Sequence, residues 1–129
     1  MSAKVLVIED DHGQREALSE ILSRQGYEVQ CASNGSEALE LMRRSNSLPR
    51  LILLDVMMPV MDGWEFRDQQ RKDRTLAEVP VVVMTALDDT VQKALQSGAV
   101  GFLPKPLQWQ ALLRVVERFC GTNSPATGH

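Results

Sequence analysis

Leu51-Ile52-Leu53-Leu54-Asp55-Val56-Met57-Met58-Pro59, with Asp62-Gly63 just beyond it, is the stretch that decides the fold. Four consecutive apolar residues after Pro49 read as a short strand covered on both faces. The run closes on a carboxylate. Burying an ionised group at the mouth of a strand is costly unless a charge meets it. Asp55 therefore asks for a cation or a reaction, not for packing.

Working outward, the same grammar repeats. Apolar runs at 5–8, 51–54, 80–84 and 101–103, with an alternating segment at 27–31, read as five strands. Between them, Ala17, Leu18, Ile21 and Leu22 recur at helical spacing up to Gly26. Ala38, Leu39 and Met42 follow a cap at Asn34 or Ser36. A third helix begins at Asp62-Gly63 and carries Trp64, Phe66 and a charged remainder, and a short fourth spans 88–96. A fifth follows Pro106 with Leu112, Val115, Val116 and Phe119 as one apolar stripe. Strands each followed by a helix, and apolar on both faces, predict an α/β fold: a doubly wound, five-stranded parallel sheet. The flavodoxin-like (βα)5 strand order 2-1-3-4-5 is favoured by analogy.

The chain has 129 residues and 43% hydrophobic content, which fits one domain over residues 1–121, with 122–129 expected as a disordered tail. Fourteen Lys and Arg against seventeen Asp and Glu give a net charge of −3, which argues against direct nucleic-acid binding. No apolar run reaches the ~18 residues of a membrane span and no signal segment is evident. A cytoplasmic protein without membrane contact is expected. Cys31 and Cys120 suggest two buried free thiols rather than a disulfide or metal framework.

Sites in such sheets lie beyond the carboxyl ends of the strands. Strand one ends in Glu9-Asp10-Asp11, strand three in Asp55, strand four in Thr85-Ala86 and strand five in Lys105-Pro106. Crowded carboxylates repel one another unless a divalent cation neutralises them, and oxygen-only ligands suit Mg²⁺. Lys105 and Thr85 could each meet a phosphoryl oxygen, and carboxylates can act as nucleophiles forming aspartyl phosphate. Taken singly, the acidic run would be a helix-cap cluster, Lys105 a solvated lysine and Thr85 a strand end. His12 has no ligand role in this reading, and Trp109 falls outside the apolar stripe, either exposed to a partner or partly buried.

In order along the chain, Val5-Leu6-Val7-Ile8-Glu9-Asp10-Asp11, Leu53-Leu54-Asp55-Val56-Met57-Met58-Pro59-x-x-Asp62-Gly63, Val83-Met84-Thr85-Ala86 and Gly101-Phe102-Leu103-Pro104-Lys105-Pro106 resemble the receiver domain of two-component response regulators, single-domain and chemotaxis-regulator-like. The resemblance covers residues 3 to 120. It implies Asp55 as phosphoacceptor from a phosphohistidine on a sensor histidine kinase or phosphotransfer protein, or from a small phosphodonor. It implies Mg²⁺ held by Asp10, by Glu9 through water, by Asp55 and by the backbone carbonyl of Met57, with Asp11 as a helix cap. Glu9 stands where Asp is more frequent. Thr85 and Lys105 would hold phosphoryl oxygens, and the Lys105-Pro106 bond is expected cis.

The same resemblance implies a switch. Phosphorylation would draw Thr85 inward and let Phe102 rotate into the vacated space, altering the face of the fourth helix, fifth strand and fifth helix for a downstream protein. Such a domain signals and catalyses only its own phosphorylation and dephosphorylation. Phe102 stands where Tyr is usual, and the interval from Thr85 to Gly98 is a little shorter than in most relatives. Met57 and Leu87, apolar where relatives can carry polar side chains, imply slow self-dephosphorylation. A metal-dependent phosphatase would want an Asp at position 57, and a receiver that only binds would not need Asp55, Thr85 and Lys105 together.

Overall fold

The structure, a computed structural model, describes residues 3–56, 63–85 and 96–121. The sheet is built from β1 (Lys4–Ile8), β2 (Glu28–Ala32), β3 (Leu51–Asp55), β4 (Val81–Thr85) and β5 (Gly101–Pro104). All neighbours pair parallel, in the order β2-β1-β3-β4-β5. The expected strand order is thus observed. Helices α1 (His12–Arg24), α2 (Gly35–Arg44), α3 (Gly63–Lys72) and a C-terminal helix (Trp109–Cys120) cover the sheet. The expected helix at 88–96 and the tail at 122–129 lie outside the described residues, apart from Gln96.

Side chains alternate across a strand, so each strand here supplies two faces. Leu6, Ile8, Ile52, Leu54, Val81 and Val83 meet α2 and α3 through Ala38, Leu39, Met42 and Phe66. Val5, Val7, Leu51, Leu53, Val82, Met84 and Leu103 form the other face, with Leu18 and Leu22 of α1 and Leu112 and Val116 of the C-terminal helix. Two cores, one on each side, explain why the interiors of the central strands β1, β3 and β4 carry no polar residue, whereas the edge strand β2 carries Gln30. Among the described residues no helix is long and apolar enough to cross a membrane.

The helix starts follow local chemistry. Asp11 caps α1, its carboxylate accepting from Gly13 N at 3.3 Å, and Asn34 rather than Ser36 caps α2, accepting from Glu37 N at 2.8 Å. Helix α3 starts differently. A Cβ on Gly63 would lie 2.5 Å from Val56 Cα and 3.0 Å from Asp55 O, so its first turn rests directly on the backbone that follows β3. Gly63 is required for close approach rather than for a left-handed turn.

One expectation needs correction. Cys31 is only partly buried, because it sits on the edge strand β2 where cover is incomplete, whereas Cys120 is buried. Within the charged remainder of α3, Arg67 and Gln70 are buried. Gln70 Nε2 donates to Leu76 O at 2.9 Å and Val79 O at 3.0 Å, and its Oε1 accepts from Arg67 Nη1 at 2.8 Å. Arg67 in turn donates from Nε to Ser97 O at 3.0 Å and from Nη2 to Gly98 O at 3.2 Å. The pair fastens α3 to the segment before β4 and to the segment before β5.

Candidate functional site

The period-2 alternation that builds the second core also builds the site. Glu9, Asp55 and Lys105 continue the phase of Val5 and Val7, of Leu51 and Leu53, and of Leu103, each just at or past its strand's end. Because Ile8 pairs with Leu54, and Thr85 with Pro104, the strand ends lie side by side. Residues nearly a hundred positions apart therefore meet.

The meeting is close. Lys105 Nζ lies 3.1 Å from Glu9 Oε1 and 3.5 Å from Asp55 Oδ2. Carboxylate oxygens of Glu9, Asp10 and Asp55 fall within 4.8 Å of one another. Glu9 is fully buried, Asp55 nearly so, and Asp10 exposed at the rim. Thr85 is buried at the end of β4, and its carbonyl accepts from Lys105 N at 2.8 Å, which ties the lysine backbone to the neighbouring strand. The Lys105-Pro106 peptide bond is cis. Phe102 points outward, 40% exposed. Met57 lies outside the described residues.

One ammonium does not neutralise three carboxylates. Burial first, then a hydrogen bond with Asp55 and the charge of Asp55, push the Glu9 carboxyl up from 4.5 to about 7, against the opposing pull of the Asp11 N–H and Lys105. Burial and Asp55 thus favour the protonated form of Glu9 up to about pH 7. The donor set is all oxygen, clustered and short of positive charge, which fits a hard divalent cation such as Mg²⁺.

A pH dependence follows. A carboxyl raised in the folded state contributes full stability below its unfolded value near 4.5, and that contribution is lost as pH rises through about 7. In EDTA the unfolding free energy should fall by roughly 2 kcal/mol from Glu9 between about pH 5 and pH 8, each pH unit per proton being worth ~1.4 kcal/mol. Urea midpoints across that range measure it. Glu9→Gln should flatten the decline; a wild-type profile as flat as that of the variant contradicts the raised Glu9 carboxyl.

One residue of the site was not singled out from sequence. Arg15, half-buried on α1, donates from Nη1 to Glu9 O at 2.8 Å and more weakly to Asp10 O at 3.4 Å. Its only sequence signal is its place one turn into the helix that follows the acidic pair. Beside the site, a groove of about 640 Å³ runs between α1 and residues 105–109, lined by Gln14, Ala17, Leu18, Pro106, Leu107 and Trp109. Trp109 is 43% exposed there.

Known proteins resemble this chain in sequence and in fold. The family model described as response regulator receiver domain matches residues 5–117. Response regulator MprA of Mycobacterium sp. (strain KMS) is 38% identical over 130 residues, an alignment covering 99% of this chain and 55% of that protein. The chain spans about half the length of the curated relatives it matches. Among solved structures, the chemotaxis protein CheY4 of Vibrio cholerae superposes with a TM-score of 0.83 at 33% identity, covering 92% of this chain and 99% of that one. The receiver domain of a sensor histidine kinase from Pseudomonas aeruginosa PAO1 gives 0.83 at 27% identity, covering 95% and 100%. That protein was solved with a magnesium ion coordinated in its active site cleft.

Proposed function

Because the chain belongs to the family of response regulator receiver domains, we propose that it is a phosphoryl-accepting switch of a two-component pathway, charged at Asp55 by the phosphohistidine of a sensor histidine kinase or phosphotransfer protein. The observation that carries the reading is the ammonium of Lys105 shared between Glu9 and Asp55 at the ends of three strands. A carboxylate oxygen of Asp55 attacks phosphorus in line, the phosphorus–nitrogen bond to the donor imidazole breaks, and the electron pair returns to the imidazole. Lys105 then moves its ammonium onto a phosphoryl oxygen, and the Thr85 hydroxyl donates to another. Asp10 and Asp55 would hold Mg²⁺ directly, Glu9 through water and Met57 through its carbonyl. When bound, Mg²⁺ neutralises charge developing on the phosphoryl oxygens. Glu9 must first give up its proton.

The groove beside Lys105 supports approach of a donor protein from the α1 side. Output follows from the edge strand β5. Phe102 on β5, 40% exposed in this unmodified chain, rotates inward once Thr85 is drawn to the phosphoryl group. This alters the surface that β5 and the flanking helices offer a downstream protein. The reading places this action in the cytoplasm and requires no nucleic acid.

Titration with beryllofluoride or acetyl phosphate in the presence of Mg²⁺ tests it: a stoichiometric adduct at Asp55 is expected, and a chain that takes neither sinks it. With Met57 and Leu87 unable to orient an attacking water, the phosphorylated protein should decay over minutes or longer. Decay within seconds, followed on phosphate-affinity gels, contradicts the assignment of those two positions.

A further inference from the structure

We infer that Arg15 is a positioning residue for the metal-binding carboxylates, an inference that rests on the Mg²⁺ site proposed above. The chain between β1 and α1 has a hydrogen-bonding gap. Strand pairing ends at Ile8, opposite Ala32 on one side and Leu54 on the other, while α1 begins at His12. Glu9 N still finds Ala32 O at 3.0 Å. The carbonyls of Glu9 and Asp10, however, have left the sheet and precede the helix, so neither regular element supplies a donor. Asp10 is exposed and water can serve its carbonyl, but Glu9 is buried, and a buried carbonyl needs a donor. Arg15 reaches back from the first turn of α1 and supplies it, with Nη1 at 2.8 Å from Glu9 O and 3.4 Å from Asp10 O. Its other arm is occupied as well, Nη2 meeting His12 Nδ1 at 3.2 Å, and Arg15 N donates to Asp11 O at 2.9 Å. The guanidinium is thus fixed at both ends, and the turn bearing both acidic side chains hangs from it.

Electrostatics alone predicts the opposite role. A cation behind three carboxylates reduces their attraction for a second cation. A guanidinium at this place improves binding only through geometry, by keeping the two side chains aimed at one point, as outer-shell partners do in metal sites generally. Charge and geometry therefore make predictions of opposite sign.

The test is Mg²⁺ affinity by calorimetry on the full chain, for wild type, R15K and R15M, each checked by circular dichroism and thermal unfolding without metal. Positioning predicts weaker binding in both variants, about tenfold for R15M and less for R15K, with folding retained. R15M binding as well as or better than wild type overturns the inference. Should R15M not fold, R15K decides: it keeps the charge but loses the fork, so wild-type affinity there equally overturns it. A wild-type chain that binds no Mg²⁺ sinks the functional reading itself, an outcome visible before any variant is made.

Discussion

Asp55→Asn should reduce phosphate incorporation from acetyl phosphate or a phosphorylated kinase to below detection, a loss of at least about a hundredfold, while leaving the fold intact. An amide oxygen is a poor nucleophile, and neither neighbouring carboxylate can stand in for Asp55: Asp10 is exposed at the rim, and Glu9, although beside Lys105 as well, is fully buried with its oxygens occupied by Lys105 and the Asp11 N–H. Stability should not follow activity. In the metal-free protein Asp55 raises the Glu9 carboxyl through a hydrogen bond and through charge, and both effects weaken in the variant. The variant should therefore unfold at a urea concentration equal to or above that of wild type near neutral pH. Intact mass after incubation with a phosphodonor, paired with urea unfolding, reads both. Labelling of the variant at a rate near that of wild type would show that another residue is the acceptor.

Gln70→Ala should cost roughly 3 kcal/mol of unfolding free energy without touching the site directly. Gln70 is fully buried, and its loss leaves Leu76 O, Val79 O and Arg67 Nη1 without their partner. Each buried polar group left unsatisfied costs ~1–3 kcal/mol, partly recovered if water enters the space. Arg67 makes the loss worse, since its guanidinium already sits below its ordinary pKa from burial and from the neighbouring charge of Arg71. Among the described residues its acceptors are two carbonyls and the Gln70 amide oxygen. Gln70→Glu separates the contributions: it keeps an acceptor for Arg67 but removes the donor to the two carbonyls. A Gln70→Ala variant within about 0.5 kcal/mol of wild type would mean that these bonds add nothing net.

Arg67 and Gln70 mark where reading the sequence fell short, and the reason is physical. Helical periodicity ranks positions by hydrophobicity, and on α3 only Trp64 and Phe66 stood out. Whether a guanidinium or an amide is buried depends on loop carbonyls supplied from residues 76, 79, 97 and 98, which no local pattern encodes. Leu51 to Leu54, by contrast, are legible because they are buried whichever side of the sheet they face. The strand order follows from the five apolar runs together with the family resemblance. The acidic pair, Asp55, Thr85 and Lys105 were legible as strand-end residues because a parallel sheet aligns those ends. The hydrogen bond that holds the acidic pair was not, since Arg15 acts on the backbone of its neighbours and leaves no mark in residue type. Gly63 was read as part of a turn. Its backbone conformation is ordinary, and the constraint comes from the peptide it touches.

That last contact bears on how this chain could be engineered. Helix α3 has no clearance over the Asp55–Val56 backbone, with Gly63 N also donating to Val56 O at 3.1 Å. A reporter dye, tether or graft that tugs on this helix would pull on the acceptor aspartate and perturb what it was meant to observe. Handles belong instead on the far rim of α2, where Ser36 and Glu40 face water and a label would ride along without steering the chemistry.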